Sequence, residues 1–192
     1  MNTEKTANSL ISFDVTVKTD RLVLRKLSLN DLDDMFEYTS DELCTQPLPW
    51  QAHKDKEQTR IFLENTIAGY GTDNSFTYGI ELKEEAKLIG VVRLFDISFH
   101  NKRAEISYIM NRKYQGKGYA NEAINAIIDF AFTKKEFIRI QARCSFDNLA
   151  SVKVLERIGM SKEGVLKSFW NIKGVQKDVI IYGLLSQNSI KE

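Results

Sequence analysis

Apolar and polar positions alternate along several short runs of this chain and recur every three or four residues along others. Residues 21–27 alternate as a first strand. Residues 29–38 read as a short helix started by Ser28 or Asn30, with Leu32, Met35 and Phe36 on one side. Two prolines make residues 46–50 irregular. Residues 54–70 form a second helix, with Ile61, Phe62, Asn65 and Ala68 near one face. Residues 76–82 and 88–99 make a hairpin across a charged Lys-Glu-Glu-Ala-Lys turn. Residues 103–110 are the central strand, and 117–133 a long helix with Ala120, Ala123, Ile124, Ile127, Ile128 and Ala131 at core spacing. A strand at 137–143 and a helix at 149–158 follow, and Gly159 ends that helix as a left-handed cap. Two last strands, near 163–170 and 177–185, flank the Asn-Ile-Lys-Gly turn at 171–174. Helices join some strands and hairpins join others, which predicts an α/β sheet of mixed direction. Residues 1–18 are polar and read as an arm, leaving 19–192 as one domain.

The joint between the central strand and the long helix carries the chemistry. It reads Arg-Lys-Tyr-Gln-Gly-Lys-Gly-Tyr-Ala, residues 112–120. Gly116 and Gly118 let the chain turn there and point backbone N–H groups outward from a helix N-terminus, where the dipole is positive. Such a turn suits phosphate, although two glycines at a turn can also be only a turn. No Asp or Glu occurs from 106 to 121, whereas Arg112, Lys113 and Lys117 are basic. A P-loop would need Ser or Thr where Gly118 stands, and a dinucleotide fingerprint would need glycine in place of Asn121.

Composition narrows the classes. The 27 basic and 26 acidic residues among 192 nearly cancel, so nucleic acid is not an expected partner. No apolar run reaches the roughly 18 residues of a membrane span, and the first residues lack the apolar core of a signal peptide. Cys44 and Cys144 form no close-spaced motif, which favours a reducing, cytoplasmic setting. His53 and His100 make no metal pattern, and no metal is expected.

A second motif, Asn-Leu-Ala-Ser-Val-Lys-Val-Leu-Glu-Arg-Ile-Gly-Met at 148–160, follows at a set distance. Together with Tyr-Gln-Gly-Lys-Gly-Tyr-Ala-Asn-Glu-Ala it resembles the GNAT acetyltransferase superfamily. The branch it resembles contains the ribosomal-protein N-terminal alanine and serine acetyltransferases. The likeness runs from Thr-Asp-Arg-Leu-Val-Leu-Arg (19–25) through Leu-Ile-Gly-Val-Val-Arg-Leu (88–94) to Trp-Asn-Ile-Lys-Gly-Val-Gln-Lys-Asp (170–178). It implies a GNAT fold: a mixed seven-stranded sheet with helices on both faces, splayed at the cofactor site between the strand before the glycine turn and the strand at 137–143.

The resemblance also implies acetyl-CoA as cosubstrate, entering that splay. Its pyrophosphate would lie on the amides of Gly116, Lys117, Gly118, Tyr119 and Ala120, beside Gln115. Its pantetheine would pair with the strand edge at Tyr108, Ile109 and Met110. Lys113 stands where the family more often has Gln or Arg. Asn148 would hydrogen-bond the pantetheine arm, though Asn is also a preferred helix cap. Ser151 would protonate the leaving thiolate; since a thiol has a pKa of about 8.5, that help is modest.

The acceptor is an amine that must lose a proton. An α-amine, with a pKa of about 7.7–8.0, is neutral near pH 7 roughly a hundredfold more often than a lysine at about 10.4. Glu105 is the one acid on the strand before the glycine turn and a candidate base acting through water; alternatively it pairs with Arg103 or Lys102 on a solvated face. Trp170 occupies a position where ribosomal-branch relatives can carry a catalytic glutamate. Trp50 and Trp170 are candidates for the acceptor wall, or else partly buried core aromatics. The expected function is acetyl transfer to a primary amine: a protein N-terminus, or a small molecule such as an amino sugar, polyamine or antibiotic. A catalytically idle acyl-CoA sensor is the alternative from another class. A homodimer is left open.

Overall fold

The computed structural model describes residues 15–70 and 75–187. Most of the predicted arm, residues 1–14, lies outside the described residues, but Val17–Lys18 is a two-residue strand, β1. It pairs antiparallel with β2 (Leu22–Arg25). The sheet therefore has eight strands, one more than the sequence suggested.

After β2, the chain makes a single 3-10 turn at Leu29–Asp31 before α1 (Leu32–Thr39). Asp31 sets that start: its carboxylate accepts from the Ser28 N–H at 2.7 Å and pairs with Arg25 of β2 at 2.7 Å. A four-residue helix, α2 (Glu42–Thr45), is capped by Asp41, whose side chain accepts from the Leu43 and Cys44 amides. No periodicity can announce so short a helix. Asp55 likewise caps α3 (Lys56–Ala68) through the Gln58 N–H.

β3 (Phe76–Leu82) and β4 (Lys87–Ser98) form the predicted hairpin, and β4 runs antiparallel to β5 (Arg103–Met110). α4 (Tyr119–Lys134) leads to β6 (Arg139–Ser145), and α5 (Leu149–Arg157) to the long hairpin of β7 (Ser161–Ile172) and β8 (Val175–Leu185). The order across the sheet is β1-β2-β3-β4-β5-β6-β8-β7.

Two apolar clusters cover the two faces. One gathers Ile124, Ile127 and Ile128 of α4 and Leu155 of α5 against Ile89, Val92 and Ile106. The other gathers Met35 and Tyr38 of α1 and Leu63 of α3 against Leu88. Neighbouring Leu88 and Ile89 thus face opposite layers, as the two-residue period of a strand requires. Helices cover both faces.

Only β5 and β6 run parallel, and only Arg103–Glu105 pairs with Arg139–Gln141. Beyond that rung the strands part. β6 continues along β8 up to Ser145, while β5 keeps β4 up to Met110. The outer half of β5 therefore leaves one edge without a strand partner, and a wedge opens between Tyr108–Met110 and the end of β6.

Candidate active site

The wedge widens into a cleft of about 670 Å³. Its floor is Tyr108, Ile109 and Met110 of β5, one wall is the first turns of α4 and α5, and the far wall comes from α2 and the residues just after it.

The glycine turn has the geometry the sequence suggested. Gly116 and Gly118 adopt φ of +76° and +84°, the left-handed region that side chains disfavour. Gly118 is the residue preceding α4, so the free N–H groups of that sixteen-residue helix begin at this turn. No atom stands within 4 Å of where a Cβ would sit on Gly116. The side-chain amide of Gln115 donates to the Met110 carbonyl at 3.0 Å, tying the turn to β5.

Arg21, just before β2, braces this turn, and sequence reasoning missed it. Its Nη1 donates to the Lys117 carbonyl at 3.0 Å, and its guanidinium pairs with Glu122 of α4 at 2.6 Å. The same guanidinium lies 4.4 Å from the Tyr119 ring centroid. Glu122 also accepts from Thr19 Oγ1. Nothing local in sequence could link residues roughly a hundred positions apart.

Gly116, Gly118, Tyr119, Ala120, Gln115, Asn148 and Ser151 all line the cleft with the β5 floor. Lys117 does not line the cleft: its carbonyl accepts from Arg21 and its ammonium turns onto the Tyr114 ring, 5.3 Å from the centroid. Lys113 is drawn away by an ion pair with Glu37.

Asn148 caps α5: its Oδ1 accepts from the Ser151 N–H at 3.2 Å. That orientation leaves the amide N–H₂ as the end free to donate. The Ser151 hydroxyl meets both the Tyr108 phenol and the Cys144 thiol. Burial pushes the Tyr108 phenol up, with Ser151 pulling the other way, and burial pushes the Cys144 thiol up to about 11. Both neighbours are therefore protonated near neutral pH.

Three sequence candidates fall elsewhere. Glu105 is 2 % exposed and does not line the cleft. It sits on the last rung that joins β5 to β6, where its carboxylate accepts from Arg143 Nε at 2.8 Å and Gln141 Nε2 at 3.1 Å. Arg103 pairs instead with Asp96, and Lys102 with Glu136. Glu105 is thus neither a solvated surface acid nor a base facing the cleft, but the staple at the apex of the wedge. Trp50 stacks on His53 and Phe62, with centroids 5.2 and 6.4 Å away, outside the cleft lining. Trp170 stands opposite Lys177 in the β7–β8 ladder, beside the cleft but not in its lining.

Leu43, Pro47, Leu48 and Ile172 form an apolar end wall in their place. Lys173 holds it together, donating from β7–β8 to the Thr45 carbonyl at 2.9 Å. Asp147, the one carboxylate in the cleft lining among the described residues, is ion-paired with Lys177 at 2.5 Å. That ammonium, helped by a hydrogen bond with Ser145, holds the Asp147 carboxyl below its usual range.

Comparison with known proteins agrees with this architecture. Residues 21–161 match the family model described as an acetyltransferase (GNAT) domain. The chain is 35 % identical over 174 residues to an uncharacterized N-acetyltransferase, p20, of Bacillus licheniformis, covering 90 % of this chain and 97 % of that one. It is 28 % identical over 180 residues to the ribosomal protein uS5-alanine N-acetyltransferase of Escherichia coli, covering 88 % and 90 %. The crystal structure of a GNAT-family acetyltransferase from Bacillus anthracis superposes with a TM-score of 0.80 at 29 % identity, covering 89 % and 98 %. The chain belongs to the GNAT acetyltransferase family. It is an N-acetyltransferase, a class of enzyme that takes its acetyl group from acetyl-CoA.

Proposed function

We propose that the protein transfers acetyl from acetyl-CoA to the α-amine of a protein or peptide N-terminus. The observation that carries this is the lack of a strong base in the cleft. Its only lining carboxylate, Asp147, is held ionised and weakly basic by Lys177. A lysine acceptor, with a pKa of about 10.4, would need a strong base; an α-amine near 8 needs little help. The one carboxylate that lines the cleft among the described residues is already paired with Lys177, which leaves a polyamine no free anion, while the apolar wall of Leu43, Pro47, Leu48 and Ile172 suits an uncharged N-terminal side chain. The Escherichia coli relative acts on an alanine of a ribosomal protein.

In this reading, the amides of residues 116–120 receive the pyrophosphate and the free edge of Tyr108–Met110 receives the pantetheine. The Asn148 amide donates to that arm. The neutral amine attacks the thioester carbonyl; the C–N bond forms, the C–S bond breaks, and the amine's proton passes to water. The leaving thiolate takes a proton from the Ser151 hydroxyl, which the protonated Tyr108 phenol can replenish. Glu105 keeps the wedge open at the right width and takes no proton from substrate.

The test is acetyl-CoA turnover on matched peptides presenting either a free α-amine or only a lysine ε-amine, with spermidine and an amino sugar alongside. Faster α-amine acetylation, with kcat/KM rising through the acceptor's own pKa, supports the proposal. Preferential lysine, polyamine or sugar acetylation refutes it.

A further inference from the structure

Four cationic side chains line the cleft: Arg112, Lys153, Arg157 and Lys177. Two of them are neutralised locally, Arg112 by Asp41 at 3.0 Å and Lys177 by Asp147. Lys153 and Arg157 have no ion-pair partner among the described residues. Glu156, between them in sequence, is engaged instead with the Tyr182 hydroxyl at 3.3 Å. Lys153 and Arg157 are exposed and four residues apart on α5, so they share one flank of the helix. α5 packs against α4, whose first turn carries the anion cradle. Two unneutralised cations thus stand on the same cleft as a phosphate site, on the helix next to it.

Coenzyme A carries two kinds of phosphate. The pyrophosphate is a chain diester, suited to the backbone amides of a glycine turn. The group on the ribose 3′ oxygen is a phosphomonoester with a charge of about −1.5 to −2, which calls for side-chain cations. An arginine fork beside a lysine ammonium is a fitting pair for it. Arg157 is six residues beyond Ser151, roughly 9 Å along the helix, so its fork stands clear of the reacting sulfur, and Lys153 lies one turn before it on the same flank. A role in balancing the helix dipole would account for Arg157 in the last turn but not for Lys153 in the middle.

We propose that Lys153 and Arg157 bind the 3′-phosphate of coenzyme A and make the protein select it over the dephospho form. This rests on the reading of the cleft as the acetyl-CoA site and adds which side chains recognise the far end of the donor.

The experiment is calorimetric titration of coenzyme A and of 3′-dephospho-coenzyme A, which needs no acceptor. It uses the wild type, Lys153→Gln, and the double variant Lys153→Gln with Arg157→Gln, each checked for its melting transition. Wild type should bind coenzyme A roughly tenfold or more tightly than the dephospho form. The double variant should bind both ligands equally, at the wild-type affinity for the dephospho form, and Lys153→Gln alone should lose part of the preference. The wild-type preference should shrink as salt is raised. A wild type with no preference, a double variant that keeps it, or one weakened equally for both ligands overturns the assignment. A double variant with normal donor binding but a raised KM for an acidic acceptor also overturns it, since the cations would then serve the other substrate. A wild type that binds neither ligand overturns the acetyl-CoA reading itself, a result distinct from the others.

Discussion

Asn148 separates helix capping from cofactor binding, because the structure uses one end of its side chain as a cap and the proposal uses the other as a donor to coenzyme A. The Oδ1 atom accepts from the Ser151 N–H at 3.2 Å, which satisfies one amide at the start of α5. In the proposed mechanism the N–H₂ end donates to the pantetheine arm. Asn148→Ala removes both, and losing an N-cap costs about 1 kcal/mol, or a fall of roughly 2–4 °C in Tm for a chain of this size. Asn148→Asp keeps an oxygen in the capping position, and a negative charge at a helix N-terminus adds about 0.3–1 kcal/mol. Its Tm should stay within about 2 °C of wild type. Its coenzyme A affinity should nonetheless fall roughly tenfold, as a donor to a carbonyl is replaced by a second acceptor. Thermal melting and calorimetry on the three proteins give both readouts. If Asn148→Asp binds coenzyme A like wild type while Asn148→Ala only melts earlier, Asn148 is a cap alone and its place in the site is wrong.

Three further perturbations probe the turn, the staple and the charge pairs. Gly118→Asp must hold a side chain at φ +84°, costing about 1–2 kcal/mol, partly offset by Arg21, whose Nη2 is 3.4 Å from the added Cβ; the fold should survive while calorimetry shows coenzyme A affinity down more than tenfold, and unchanged binding would remove the turn from the site. Glu105→Gln should lower stability by about 1–3 kcal/mol, softened by the partial exposure of Arg143, and leave the shape of the pH–rate profile as it is; a profile that loses its rise on the acid side would restore Glu105 as the base. Lys113 and Lys87 hold the Glu37 carboxyl down to about 2. Its stabilisation is therefore complete above its unfolded value near 4.5 and is lost as pH falls toward 2. The Tm gap between wild type and Glu37→Gln should be constant above about pH 5 and close below it, and a gap independent of pH would contradict the pairing.

Local sequence determined most of the elements, because their causes are local. The two-residue alternation of Arg103–Met110, the apolar spacing along α4 and the glycines at 116 and 118 each act within one segment. They were enough to place the cofactor turn and, with the motif at Asn148, to identify the family. The predicted starts of α1 and α3 fall three and two residues early, because the side-chain contacts of Asp31 and Asp55 decide them. What the sequence could not decide was which side chains meet across the sheet. Glu105 read as a candidate base or as a partner of Arg103 or Lys102, because its actual partners, Gln141 and Arg143, lie on a strand that becomes its neighbour only through the β5–β6 crossover. Trp50 and Trp170 were candidates for the acceptor wall by position, but the Trp50 ring packs on His53 and Phe62, neither tryptophan lines the cleft, and Leu43, Pro47, Leu48 and Ile172 close it. The brace of Arg21 on the glycine turn, and the pairing that takes Asp147 out of service as a base, are likewise products of long-range packing. Strand periodicity and turn chemistry are written into short windows of chain, whereas the charge state and reach of a side chain depend on what the tertiary fold sets beside it.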